Sequence, residues 1–263
     1  MPGLDGKKFT FAIQQDTPII AQGWFMKQHI PNAVTLLNLL FGCCAIVSVF
    51  NGQFINGFWF FFAAIFADYF DGTIARRLGV HSPLGKQLDS LADVISFGFL
   101  PGVILYVLLL IGWTGEATYP GLFQAGIPAF TVTLFSALRL AKFNIDSRQT
   151  DYFIGLPTPS ACLFTVGLLL IYHFDSFGLA GWITHPVFLY GCAVFLSFIL
   201  VAELPMFNLK IKSFQWTGNE IKFIFATTAL LLLIFLREAA LSLTIVLYIL
   251  ISLAQYLLGA SEP

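Results

Sequence analysis

The chain has 263 residues, of which 13 are Lys or Arg and 14 are Asp or Glu, with 58% hydrophobic and 16% aromatic residues and a net charge of −1; its mean hydropathy is +0.84. A soluble domain carries roughly a quarter charged residues, so 10% is too few to cover a water-facing surface of this size. This excludes a disordered chain, a disulfide-stapled secreted fold and an electrostatic nucleic-acid binder, and predicts an all-α, polytopic membrane helix bundle whose chemistry sits in or at the edge of the bilayer.

Taken in chain order, residues 1–30 hold Lys7 and Lys8 without a sustained apolar run before Asp16, so they do not read as a cleaved signal peptide. Ile19, Ile20, Trp24, Phe25 and Met26 beside Lys27 fit a short interfacial helix. Apolar runs near spanning length then predict eight transmembrane helices at about 32–50, 54–77, 89–112, 122–143, 158–173, 185–202, 222–236 and 239–258, the last two joined by the tight turn Leu236-Arg237-Glu238-Ala239. With this count, twelve of the thirteen Lys and Arg residues fall on one side and only Arg237 on the other. The positive-inside rule makes the crowded side cytoplasmic and puts both termini there, in a cell (inner) membrane protein. The four cysteines, Cys43, Cys44, Cys162 and Cys192, lie within apolar runs without zinc-site spacing and read as packing residues. No internal repeat is visible.

Carboxylates are costly in membrane helices, so Asp68, Asp71, Asp89 and Asp93 call for an explanation other than packing. In the second span, Asp68, Asp71, Gly72, Ala75 and Arg76 share one stripe, because offsets of 3, 4, 7 and 8 fall on one helical face. Gly85, Asp89 and Asp93 repeat that spacing if the third span is extended back by a turn. The two stripes meet across a short basic connection, 77–88. Converging acids repel unless a cation neutralises them, and all-oxygen ligation suits Mg²⁺ or Mn²⁺. Two such ions would clamp a phosphoryl group, and Gly72 and Ala75 lack the bulk to keep a pyrophosphate from the helix backbone. The bland alternative is an ion-paired helix end, with Asp71 neutralised by Arg76.

The pattern Asp68-x2-Asp71-Gly72-x2-Ala75-Arg76-x8-Gly85-x3-Asp89-x3-Asp93 resembles the complete signature of the CDP-alcohol phosphatidyltransferase family, with no fixed position missing. The resemblance implies displacement of CMP from a CDP-linked lipid by an alcohol at a dimetal site. It makes Asp68, Asp71 and Asp89 metal ligands, and gives Asp93 two roles: contact with the second metal, and general base toward the acceptor hydroxyl. Arg76 would hold phosphate or order the aspartates, while Gly72, Ala75 and Gly85 would line the nucleotide and pyrophosphate site. Pro31-Asn32-x2-Thr35-x2-Asn38-x3-Gly42 is similar to the family's nucleotide-side segment, with Asn32, Thr35 and Asn38 on one stripe; polar glue between helices is the alternative for these three.

Ser96-Phe97-Gly98-x2-Pro101, Arg139-x2-Lys142-Phe143-Asn144 and Phe153-x-Gly155-Leu156-Pro157-x-Pro159 resemble the family's phosphatidylserine synthase branch, with Lys142 where an Arg is expected. That departure keeps the charge and loses bidentate geometry. The branch implies CDP-diacylglycerol and L-serine as substrates and suggests a homodimer. A zwitterionic acceptor needs a cation for its carboxylate, an acceptor for its ammonium and a base near its hydroxyl. Arg139, Lys142 and Arg148 gather at one helix end on the aspartate side, and at least one of them is expected to bind the serine carboxylate, with Ser96 in the same site. Ordinary membrane anchoring is the other reading of these cations.

The chain therefore divides into an N-terminal segment (1–30), a catalytic membrane domain (31–212) and two C-terminal helices (213–263). Competing readings are another acceptor, such as glycerol 3-phosphate or inositol phosphate, and, from a different class, a cation transporter with an Asp-lined ion site. The transporter predicts acids near mid-membrane rather than at helix ends. A prenyltransferase is disfavoured by the absence of a DDxxD pair.

Overall fold

Helix α1 (Ile19–Phe50) runs through Pro31 without a break. It carries the predicted interfacial stretch and the first span in one helix. The computed structural model describes residues 19–80, 82–145, 153–207, 216 and 219–258, with side chains from His29 on except that of Phe153. A turn at Asn51-Gly52 reverses the chain, with Gly52 at φ 70°. Helix α2 (Phe54–Leu78) then packs back along α1. A Cβ on Gly57 would lie 2.8 Å from Val49 Cγ2, so glycine sets how closely the two helices approach.

Gly79, left-handed at φ 65°, ends α2. Helix α3 (Pro83–Asp93) begins almost at once, because Ser82 caps it by accepting from the Gly85 N–H at 3.3 Å and Pro83 sits in the first turn, where no donor is needed. The third span thus reaches back beyond residue 89, and the connection between the two motif helices shrinks to residues 79–82. A π-helical stretch, Val94–Phe99, follows before α4 (Leu100–Thr114). Pro101 cannot donate to the carbonyl of residue 97, which removes an ordinary i→i−4 bond where the wider turn occurs.

Every residue of α4 from Leu100 to Ile111 is buried, which makes this helix the centre of the bundle. Because lipid is as apolar as leucine, association here rests on close packing at small residues. Gly98 would place a Cβ 3.1 Å from the Ser136 Cβ, Gly102 abuts the Thr133 hydroxyl, and Gly112 abuts the Thr184 backbone.

The predicted span 122–143 is not one α-helix. Gln124–Phe130 is a 3₁₀ stretch containing Pro128, and α5 occupies only Thr131–Ile145. Proline's missing N–H and ring again account for the break. The chain then gives α6 (Thr158–Phe174), the short α7 (Ala180–Ile183), α8 (Pro186–Val201), α9 (Glu220–Leu236) and α10 (Ala239–Leu257). The tight turn at Arg237, φ 49°, separates the last two as predicted. Among the described residues the one departure from an all-helical chain is a two-residue antiparallel ladder, β1 (Phe153–Ile154) with β2 (Pro205–Met206).

Among the described residues, four helices are long and apolar enough to cross a membrane: His29–Phe50, Phe54–Leu78, the continuous Pro83–Thr114, and Ala239–Leu257. Thr158–Phe174 and Pro186–Val201 are shorter apolar helices. Of the cysteines, Cys162 and Cys192 are buried, as packing residues should be, whereas Cys43 is exposed.

Candidate active site

The short α2–α3 connection folds the two acidic stripes onto one another. One carboxylate oxygen from each of Asp68, Asp71 and Asp89 lies within 4.8 Å of the others. At that separation each pair of unit charges repels by about 3–4 kcal/mol at an effective dielectric of about 20. The donor set is all oxygen and anionic, so the trio fits a hard divalent cation on its own chemistry and can hold one. Asp93 lies one turn further along α3, outside this trio but within electrostatic range of all three acids.

Helix α1 braces both acidic helices. The Thr35 hydroxyl lies 2.6 Å from Asp71 Oδ2 and 3.1 Å from the Pro31 carbonyl, so its single proton goes to the nearer carboxylate. One turn on, Asn38 Nδ2 donates to Asp93 Oδ1 at 3.2 Å, and the Asn38 carbonyl accepts from Ser96 Oγ at 3.0 Å. A Cβ on Gly42 would overlap Ser96 Oγ and come within 2.8 Å of Ser96 Cα, so only glycine lets α1 meet the π-helix here.

Beside the trio opens a cavity of about 480 Å³. It is lined by Asn32 and Thr35 from α1, Asp71, Gly72 and Ala75 from α2, and Gly85, Lys86 and Asp89 from α3. Asn32 Oδ1 would stand 3.0 Å from a Cβ on Gly85, so a larger residue there would push Asn32 aside. Arg76 is exposed and spends Nη2 on Thr73 Oγ1 at 3.1 Å, with Nη1 3.3 Å from where a Gly72 Cβ would be.

The structure separates the three cations offered for the acceptor. Arg139 is 7% exposed and its Nε has no hydrogen-bond partner among the described residues. Its guanidinium carbon stands 5.8 Å from the centre of the Phe143 ring, within electrostatic range of Asp93. Lys142 points outward and is exposed, and Arg148 lies outside the described residues. Ser96, expected near serine, is buried and uses its proton on the Asn38 carbonyl.

Val80, Ser82, Pro83 and Lys86 also line the cavity and were missed in the sequence, and of these Lys86 alone carries charge. Lys86 follows Gly85 and precedes Asp89 by three positions, a spacing that placed it on the motif face. Its Nζ donates to the Asn144 carbonyl at 3.1 Å, and Asn144 Nδ2 donates to Ser90 Oγ at 2.7 Å, which latches the end of α5 onto α3.

The CDP-alcohol phosphatidyltransferase family profile matches residues 28–196. Relatives carrying the name CDP-diacylglycerol–serine O-phosphatidyltransferase include that of Mycobacterium leprae, 33% identical over 190 residues, or 68% of this chain and 58% of the relative. That of Bacillus subtilis is 35% identical over 145 residues, 55% of this chain and 77% of the relative. That of Helicobacter pylori is 32% identical over 234 residues, 86% of this chain and 90% of the relative. The match thus takes in little more than half of the mycobacterial relative and nearly all of the Helicobacter one. A profile match covering both acidic helices and the α1 segment that braces them means that the chain belongs to the CDP-alcohol phosphatidyltransferase family.

Proposed function

We propose that the chain transfers the phosphatidyl group of CDP-diacylglycerol to the hydroxyl of L-serine, releasing CMP. The observation that carries this reading is the convergence of Asp68, Asp71 and Asp89 beside the 480 Å³ cavity. The names of the relatives select serine among acceptor alcohols.

Asp68, Asp71 and Asp89, with Asp93 beside them, hold the divalent cations, Mg²⁺ or Mn²⁺ and two in number. Bound there, such ions supply positive charge to the pyrophosphate and stabilise the departing CMP oxygen. Gly72, Ala75 and Gly85 leave room for the pyrophosphate, Asn32 faces the nucleotide, Thr35 holds Asp71 in place, and Arg76 and Lys86 add positive charge at the rim. Asp93, oriented by Asn38, takes the proton from the serine hydroxyl as its oxygen attacks the phosphatidyl phosphorus. The bond from that phosphorus to the CMP oxygen breaks, and CMP leaves with the electron pair. Arg139 binds the serine carboxylate.

We further propose that the chain crosses the cell membrane eight times, counting Gln124–Ile145 as one span despite its 3₁₀ start, with this site and both termini on the cytoplasmic side and residues 31–212 as the catalytic domain of a homodimer. The test is product identification by mass spectrometry after purified protein is given CDP-diacylglycerol with serine, glycerol 3-phosphate or inositol phosphate. Phosphatidylserine and CMP formed with serine alone, lost in EDTA and restored by Mg²⁺ or Mn²⁺, is the expected result. Full activity in chelator, or a product with another acceptor only, contradicts the proposal.

A further inference from the structure

Most buried hydroxyls in this bundle pair with a nearby carbonyl, as Thr165 does with Cys162, Ser242 with Phe164 and Ser252 with Tyr248. A few do not. Asn38 Oδ1, Ser136 Oγ, Arg139 Nε and Thr158 Oγ1 are buried without a hydrogen-bond partner among the described residues, on residues 0%, 0%, 7% and 1% exposed. They come from three different helices, yet all are tied to one short segment, Asp93 to Gly98. Asn38 bonds Asp93 and receives Ser96. Ser136 packs on Gly98, whose Cβ would lie 3.8 Å from the Asp93 carbonyl, and Arg139 stands one turn beyond Ser136 on the same face of α5. Thr158 sits one turn before Cys162, whose Sγ reaches the Ser96 carbonyl at 3.9 Å. Thr133 Oγ1, also unpaired, packs against Gly102, further along α4, and is set apart from this group.

We propose that Asn38, Ser136, Arg139 and Thr158 form a closed polar compartment beside Asp93 that takes a small zwitterionic hydroxy amino acid. The unpaired groups match such a ligand in kind. A guanidinium only donates and suits a carboxylate; an amide oxygen only accepts and suits an ammonium. The Asn38 amide turns Nδ2 toward Asp93 Oδ1, and this leaves its own Oδ1 as the free acceptor. Two hydroxyls, each able to donate or accept, complete the set. Buried polar atoms without partners are where an absent polar ligand or water belongs. Since these atoms are shielded from solvent, the amino acid reaches them only with a local displacement of side chains. This inference rests on the proposed serine transfer and adds Ser136, Thr158 and the Asn38 amide oxygen to its acceptor site.

The test compares wild type with Ser136→Ala, Thr158→Val and Thr158→Ser in purified protein, measuring KM for serine and, separately, KM for CDP-diacylglycerol. Ser136→Ala and Thr158→Val are expected to raise the serine KM about 5–20-fold each, in keeping with loss of one buried hydrogen bond. Thr158→Ser, which keeps the hydroxyl, is expected to stay within about twofold, and KM for CDP-diacylglycerol should not move. If Thr158→Val does not fold, Ser136→Ala alone decides the matter. An unchanged serine KM in Ser136→Ala, or an equal rise in both KM values, overturns the compartment. Wild-type protein that makes no phosphatidylserine instead overturns the transfer reading itself, so the two failures are distinguishable.

Discussion

The two sides of the site differ in how far their polar groups are already paired. On the α1–α2–α3 side, Thr35 is bound to Asp71, Asn38 to Asp93, Ser96 to the Asn38 carbonyl and Lys86 to the Asn144 carbonyl. On the α5–α6 side, Ser136, Thr158 and Arg139 Nε are buried and unpaired among the described residues, whereas the α1–α2–α3 side has only Asn38 Oδ1 in that state. A carboxylate cluster must be held in place before its cation arrives, since three acids within 4.8 Å otherwise push one another apart. An acceptor site gains affinity and selectivity by leaving its groups unpaired until the right ligand supplies partners.

The sharpest way to break this contrast is to neutralise one acid. Asp68→Asn or Asp89→Asn should lower the rate of CMP release by about a thousandfold or more, the scale expected when electrostatic stabilisation of a leaving oxygen is lost. The same substitutions should raise the thermal unfolding midpoint in EDTA, because a repulsive charge is gone. A fall in both quantities would mean that the acids stabilise the fold rather than serve the chemistry.

Arg139→Ala should raise the serine KM by about a hundredfold, the loss expected for a charged buried partner, with little change for CDP-diacylglycerol. A wild-type serine KM in this variant would remove Arg139 from the acceptor site. Thr35→Val keeps the shape of the side chain and deletes its bond to Asp71. The expected cost is about 1.5–2 kcal/mol, or roughly tenfold to thirtyfold in kcat, read from steady-state CMP release. Lys86→Ala is expected to raise KM for CDP-diacylglycerol about threefold to tenfold, as for an exposed charge at a pocket rim, without moving that for serine. Least affected should be Lys142→Ala, at less than about twofold in either KM, because this side chain faces outward.

The donor side was legible in the sequence because helical spacing alone brings Asp68 to Asp71 and Asp89 to Asp93, and carboxylates in apolar helices announce a function. Thr35 and Asn38 were visible as a stripe, but periodicity does not tell whether a hydroxyl faces a nucleotide or a neighbouring carboxylate; the structure has both residues bound to acids. The acceptor side was harder to read. Arg139 and Lys142 are three residues apart and chemically alike, and only the packing of α5, which buries Ser136, Arg139 and Leu140 and exposes Lys142, distinguishes them. Ser136 and Thr158 look like the small polar residues that fill any membrane helix interface. The π-helical turn after Asp93 and the 3₁₀ stretch before α5 both accompany prolines, Pro101 and Pro128, whose effect on helix type depends on which carbonyl loses its donor.

The central claim, that Asp68, Asp71 and Asp89 together hold a divalent cation, is tested most directly by titrating the purified, metal-free protein with Mn²⁺ and following free Mn²⁺ by electron paramagnetic resonance. Wild-type protein should remove Mn²⁺ from solution with saturable stoichiometry, and Asp68→Asn, Asp71→Asn and Asp89→Asn should each abolish or sharply weaken that uptake while Lys142→Ala leaves it intact. Equal Mn²⁺ uptake by wild type and all three aspartate variants would contradict the account.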